Sequence, residues 1–480
     1  MSLSIKRFSS ALLLSTALGA PVFAQELAQE VVGEYFDELR AGGMTVSPGA
    51  QKVSGSIVEW RDITVGLPQD EGHYTLDFMR AEELGGGKVS LSYPPEVKIT
   101  IDPKGEQSQA DIVVRTEGIT HIVSGEKAAR NHDITASRIA VAMTNMDPPF
   151  SMELAVNDVV VRQVSSGAQT LHYKGDMKAA NLETQYDLFD GQTNISSTGS
   201  YDNLSASFDM DAVNEASLDE LFAGTRNLSV SYQMGKMIGS TDIAAPQSAM
   251  VVQTSARSAD GSFSVLDGIF DMGGTAQDVA YDVKLKDIPL LPFTAQMKAL
   301  TTQMKLPLKK VVDPLPARLQ MGFDGLELSD TVWGMFDPTG ALPRDAAKLN
   351  IDLSAQIKWL VDALGAPQAE SFPVEVDHVK INDVTLNIAG AALNGSGEAK
   401  LNNATFPPMP VGEVNMDLKG GVGLLDKLVA LGLVPQQQGQ MIKMMSGMFT
   451  VPGGDGTDHL VSKIKMNPDG SILANGQRIK

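Results

Sequence analysis

Cysteine is absent from the 480 residues, and aromatic side chains make up only 6% of them. Without cysteine there are no disulfides, thiolate metal ligands or cysteine nucleophiles, so packing alone must hold the fold. Cations are short as well: 38 Lys and Arg stand against 58 Asp and Glu, a formal charge of −20. A field of that sign repels phosphate backbones and anionic headgroups, which argues against nucleic acid or a polybasic membrane dock as partner. After the first two dozen residues no apolar run approaches the roughly 20 residues of a spanning helix.

Lys6 and Arg7 precede the apolar run Ala11–Leu18, and Val22-Phe23-Ala24 offers small residues before Gln25. This is the arrangement of a secretory signal peptide, so residues 1–24 are expected to be cleaved after Ala24 and the chain exported to the periplasm. Ser15, Thr16, Gly19 and Pro21 break the run, so it falls short of a spanning helix, and no thiol is present for a lipid anchor beside the cut. Cleavage removes two cations and no anion, moving the formal charge to −22.

A helical stripe follows: Leu27, Val31, Tyr35 and Leu39 stand at i, i+4 spacing with Val32 and Phe36 beside them, stopping at Gly42-Gly43. From Val53 to about Gln277 the period becomes two, as in Tyr74-Leu76-Phe78, Val89-Leu91-Tyr93 and Val97-Ile99-Ile101. Asp190-Gly191, Asp260-Gly261, Asn394-Gly395, Asp469-Gly470 and Asn475-Gly476 read as hairpin turns. Ser217-Leu218-Asp219-Glu220 reads as a capping box, and Pro292 to Lys305 as a second short helix. A proline-rich junction at 307–316 is expected to divide a first half, 25–306, from a second, 317–480, in which alternation resumes at Leu349-Ile351-Leu353 and from Val374 to Ile388. Near the C-terminus Leu424, Leu425, Leu428, Val429 and Leu431 form one helical stripe, and a second helix after Pro435 carries Met441, Ile442, Met444, Met445 and Met448. A closing hairpin is expected from Leu460 to Ile479. The predicted fold class is mainly β with minor α: an elongated, twisted antiparallel sheet in two related halves, with short packing helices.

Leu342-Pro343-Arg344-Asp345 after Trp333–Pro338, Ala389-Gly390-Ala391, Pro408-Met409-Pro410, Gly432-Leu433 and Asn475-Gly476-Gln477-Arg478 resemble the alphaproteobacterial domain-of-unknown-function family 2125. The resemblance extends from about Leu27 to the C-terminus, weakest between Ala168 and Ala256. It implies an exported envelope protein and carries over no catalytic residue. A looser likeness in architecture is to AsmA-like periplasmic proteins, whose long antiparallel sheets are believed to shelter lipid chains; the cleavable signal departs from their retained anchor.

Chemical motifs are scarce. There is no G-x-S-x-G elbow; Gly395-Ser396-Gly397 and Gly199-Ser200 read as turns. None of His73, His121, His132, His172, His378 and His459 stands in a zinc spacing, and the neighbours His132-Asp133 and Asp377-His378 read as solvated positions. Asp209, Asp211 and Asn214 lack the glycine and glutamate of a calcium loop, and Gly453–Asp458 reads as a solvated linker. No phosphate loop or dinucleotide fingerprint occurs, so no cofactor is expected. The methionine helix has three readings: packing into the core, which its spacing favours, then an apolar ligand or partner helix, then Cu(I). The candidate apolar-binding face is Leu428, Leu431, Met441, Met445 and Met448. The functional expectation is a non-enzymatic envelope protein that binds lipid or another apolar partner. A structural interaction protein without ligand, and a hydrolase using unrecognised carboxylates, are the alternatives.

Overall fold

The computed structural model describes residues 26–68, 71–102, 110–146, 149–167, 171–212, 218–246, 248–286, 293–361, 373–405, 407–454, 456 and 458–480. The expected signal peptide lies outside them. Helix α1 (Glu26–Ala41) leads into β1 (Thr45–Ser47), β2 (Ala50–Ser54), β3 (Ile57–Gly66), β4 (Gly72–Gly85), β5 (Lys88–Ser92), β6 (Glu96–Ile101), β7 (Ala110–Glu117), β8 (Thr120–Glu126), β9 (Ala129–Thr144), β10 (Phe150–Ser166), β11 (His172–Phe189) and β12 (Asn194–Asp211). Helix α2 (Leu218–Ala223) precedes β13 (Leu228–Met234), β14 (Met237–Ala245), β15 (Ser248–Ala256), β16 (Ser258–Leu266), β17 (Ile269–Leu285), β18 (Phe293–Pro307) and β19 (Leu315–Leu328). Then come α3 (Asp330–Phe336), β20 (Ala347–Trp359), β21 (Val374–Ile388), β22 (Ala391–Asn402), β23 (Met409–Lys419), α4 (Gly421–Ala430), α5 (Gln436–Phe449), β24 (Val451–Pro452), β25 (His459–Met466), β26 (Ile472–Ala474) and β27 (Gln477–Arg478). Strand makes up 66% and helix 13%, in one antiparallel sheet, which bears out the mainly β reading. No described helix is long and apolar enough to cross a membrane.

The chain divides into two compact units. The first holds the described residues up to Leu221, Thr225–Thr254, Leu285 and Lys286; the second holds Phe222–Gly224, Ser255–Lys284 and the described residues from Phe293 onward. Residues 307–316 join β18 to β19 inside the second unit.

In the first unit α1 forms as its stripe requires and ends at Gly43, whose φ of 84° suits a glycine C-cap. Leu27, Val31, Val32, Tyr35, Phe36 and Leu39 are buried against Val58, Trp60, Ile63, Val65, Leu76, Met79, Val89, Leu91 and Ile99. Asp62, at φ 57°, sits mid-strand in β3 and shifts the inward parity from Val58 and Trp60 to Ile63 and Val65. Asp158, Asn203 and Asp278 hold the same left-handed backbone within β10, β12 and β17. These two residue types tolerate that conformation best after glycine.

Five local expectations are corrected. Residues from Phe293 to Lys305 are strand β18, paired with β17 and β19, not helix. Asp260-Gly261 and Asn394-Gly395, with Gly395-Ser396-Gly397 and Gly199-Ser200, lie inside β16, β22 and β12 instead of at turns. There the missing side chain allows close strand contact: a Cβ on Gly397 would come within 2.7 Å of the Val414 Cα. Asp190-Gly191, Asp469-Gly470 and Asn475-Gly476 do turn as expected, between successive strands. Of the capping box, Ser217 lies outside the described residues.

Candidate functional site

Cross-strand registers of the second unit bring apolar residues into unbroken rows. One row runs Phe263, Met272, Met304, Leu319, Leu353, Ile381, Gly397, Val414, Ile464. A second, beside it, runs Ala276, Leu300, Phe323, Leu349, Leu386, Leu393, Leu418, Leu460. Directly opposed residues share a face, so both rows lie on one side of the sheet. None of these residues is buried, and Met272 and Leu319 are 44% and 38% exposed, as is Met321 at 43% on the same side. An apolar sheet face that no element fully covers is the unusual feature of this unit.

The opposite side is polar and internally paired. Arg318 donates from Nε and Nη2 to the two Asp352 oxygens at 3.0 and 2.8 Å, and Asn382 Nδ2 donates to Asp352 Oδ1 at 3.1 Å. Asn350 Nδ2 donates to Asp383 Oδ2 at 2.6 Å, and Lys463 pairs with Glu413 at 2.6 Å. These hydrogen bonds hold the Asp352 and Glu413 carboxyls below the usual carboxylate range. A shallow cavity of about 480 Å³ on this side is lined by Asn394, Ser396, Asn415, Asp417 and Lys463, among others.

The C-terminal helices form where the sequence places them, joined through Gly432 at φ 74°. Asp458 caps α4: its Oδ1 and Oδ2 accept from the backbone N–H groups of Val422 and Gly423 at 2.9 and 2.7 Å. The expectation that this carboxylate is merely solvated is therefore corrected; it satisfies helix-end donors. Helix α5 meets α4 where Gly439 lies against Val429, and its end is held by Phe449 O, which accepts from Ser462 Oγ at 2.7 Å and Asn475 Nδ2 at 3.0 Å. Of the candidate apolar face, Leu428 and Leu431 are half-buried, while Met441, Met445 and Met448 are 50%, 49% and 60% exposed. Met444 reaches 70%. Core packing, the reading that spacing favoured, does not hold, because α5 meets the rest of the unit through Gly439 and the Phe449 carbonyl and turns the methionines outward.

Several motif residues of the family resemblance meet in space. The buried Asp337 carboxylate accepts from the Ala341 and Leu342 N–H groups, both at 2.9 Å, and from Thr339 Oγ1. Although burial alone would raise it, these bonds lower its pKa. The turn so fixed places Pro343 against Gly390, and the Arg344 guanidinium 5.5 Å from the Trp333 ring centroid.

In the first unit the structure builds a cluster that the sequence reading missed. His121 and His132 are 3% and 1% exposed, not solvated. Tyr93 Oη lies 2.8 Å from His121 Nδ1, His121 Nε2 lies 3.2 Å from His132 Nδ1, and His132 Nε2 lies 3.0 Å from Ser165 Oγ. Burial pushes His121 down to about 3 and His132 to about 4, the former with help from its neighbour ring and the latter from Arg130. Arg130, itself buried, reaches Glu34 on α1 at 3.1 Å. One turn on, burial and the Glu34 charge push Glu38 up to about 8. The usable signal was parity: Arg130 and His132 are in phase with Ile134 and Ala136, the inward residues of β9. The closed setting makes this a polar fastening between α1 and the sheet. Elsewhere, His172 bridges Asp209 and Asp211 at 3.1 and 3.0 Å, and His459 pairs with Asp417 at 2.8 Å. Among the described residues no three His, Asp or Glu side chains gather as a metal site.

Residues 277–467 match the family described as an uncharacterized protein conserved in bacteria, DUF2125. This bears out the resemblance over that stretch. The DUF2125 segment runs from within β17 to the end of β25, and so carries most of both apolar rows and both C-terminal helices. No curated protein and no solved structure matches the chain. The likeness to AsmA-like proteins rests on the sequence reading alone.

Proposed function

We propose that this chain is an exported, non-enzymatic protein of the cell envelope that holds lipid acyl chains against the uncovered face of its second unit. The observation that carries the reading is the pair of apolar rows, eight and nine strands wide, none of whose residues is buried. Strands lie about 4.8 Å apart, so eight of them span roughly 34 Å, more than one leaflet's share of a bilayer core about 30 Å thick. An acyl chain lying across the strands would lose water along its whole length, at up to about 0.8 kcal/mol per methylene. Methionine at Met272, Met304 and Met321 suits cargo of variable shape, because its unbranched side chain adapts to its neighbour. The charged residues Lys6 and Arg7 before the apolar run Ala11–Leu18 support export.

Organic extraction of the protein purified under native conditions, followed by mass spectrometry, tests the reading. Acyl lipid is expected in the wild-type extract and is expected to drop in a Met321→Asp variant that still melts cooperatively. Protein free of lipid, and unable to take any up from lipid micelles, would leave the structural alternative in its place.

A further inference from the structure

Helix α5 sits in a carboxylate-free stretch of an acidic chain. Asp and Glu occur 58 times in 480 residues, yet none stands between Asp426 and Asp455. The cations of that stretch are Lys427 and Lys443, and Lys443 is paired with Asp426. The first turn of α5 is polar and uncharged: Gln436, Gln437, Gln438 and Gln440. Beyond it runs an exposed stripe at i, i+3, i+4 and i+7: Met441, Met444, Met445 and Met448, at 50%, 70%, 49% and 60% exposure. Leu433 before the helix and Val451 after it are 45% and 41% exposed.

We infer that α5 is an interfacial helix that seats this protein on a bilayer surface through its methionine stripe, without attraction to anionic headgroups. Three observations select this occupant. First, the stripe with Leu433 and Val451 offers about a quarter of the 20 or more residues per side that a stable protein interface uses, so a second copy would hold weakly. A bilayer sets no such minimum, since each apolar side chain that enters the headgroup boundary contributes separately. Second, the missing carboxylates remove the local repulsion that the rest of the chain would meet at a membrane, while the one cation of the helix itself, Lys443, is held by Asp426 and adds no preference for anionic lipid. Third, the exposed stripe is on a different side of the helix from Gly439 and Phe449, which hold it to α4 and to β25, so it can be occupied without unfolding. This inference is independent of cargo on the sheet face.

The test is flotation of the purified protein with phosphatidylcholine vesicles, alone and mixed with phosphatidylglycerol, at low and high salt. The expected result is flotation with pure phosphatidylcholine that salt does not weaken and that phosphatidylglycerol does not improve. A Met444→Asp/Met448→Asp variant should lose partitioning by about tenfold or more while melting like the wild type, because both positions are exposed. A Met321→Asp variant, impaired on the sheet face, should float normally. No flotation with either vesicle, binding that needs phosphatidylglycerol and low salt, or an unaffected double variant would each overturn the inference. So would a sedimenting dimer that the double variant abolishes, which would assign the stripe to a second copy.

Discussion

The Nε2 of His121 lies 3.2 Å from the Nδ1 of His132, in a site where neither ring reaches water. Neutral rings can complete the chain from Tyr93 to Ser165 with one donor and one acceptor at each contact, whereas protonating both rings would set two N–H groups against each other.

Acid should therefore weaken the first unit through these rings. Both pKa values are depressed in the fold, to about 3 and about 4 from 6.5. The stabilisation is then full above pH 6.5, where the unfolded rings are also neutral, and is lost as pH falls toward 4, because the unfolded chain binds protons first. Urea melts across this window should show falling stability, with a shallower slope in a His121→Gln/His132→Gln variant. An unchanged slope would show that the rings do not titrate as described.

Glu38 carries the opposite sign. Its pKa in the fold is raised to about 8 from 4.5, so its contribution is present below pH 4.5 and is lost as pH rises toward 8. Glu38→Gln should raise the melting temperature at pH 8.5 and leave it nearly unchanged at pH 4, read by near-ultraviolet circular dichroism of Tyr35 and Trp60.

Removing Arg130 should be costly. Arg130→Met leaves Glu34, largely covered by α1 and β9, without its main partner at 3.1 Å. A loss of about 3 kcal/mol in urea unfolding is expected, and Glu34→Gln in the same chain should recover part of it.

The Asp458 cap tests how the C-terminal helices are held. Asp458→Ala frees two backbone N–H groups of α4 and should cost about 1 kcal/mol. Faster amide hydrogen exchange at Val422 and Gly423 should accompany it, without change in the first unit.

The antiparallel sheet was legible because half-buried strands print a period of two, and α1 because Leu27, Val31, Tyr35 and Leu39 are all needed by one core. The C-terminal helices were legible through Gly432 and Pro435. Residues 293–305 misled because Ala, Met, Gln, Lys and Leu favour helix by a few tenths of a kcal/mol each, which two flanking ladders outweigh. Asn394-Gly395 carries turn residues, but Gly395 is paired with Val384 and Met416 in two ladders, which outweigh the local turn preference. The exposure of Met441 and Met445 could not be read from spacing, since a stripe looks alike whether its partner is this chain or something else. The two apolar rows were invisible for a related reason: they join residues from nine strands, and only register aligns them.

Acyl-chain cross-linking tests the central claim most directly. A phosphatidylcholine bearing a photoreactive diazirine on its acyl chain would be loaded and illuminated, and the labelled peptides mapped. Labels are expected on strands β17 to β23, at positions such as Met272, Met304, Leu319 and Leu353, and competed away by unlabelled lipid. Labels scattered over both sides of the sheet, absent altogether, or confined to the first unit would contradict the account.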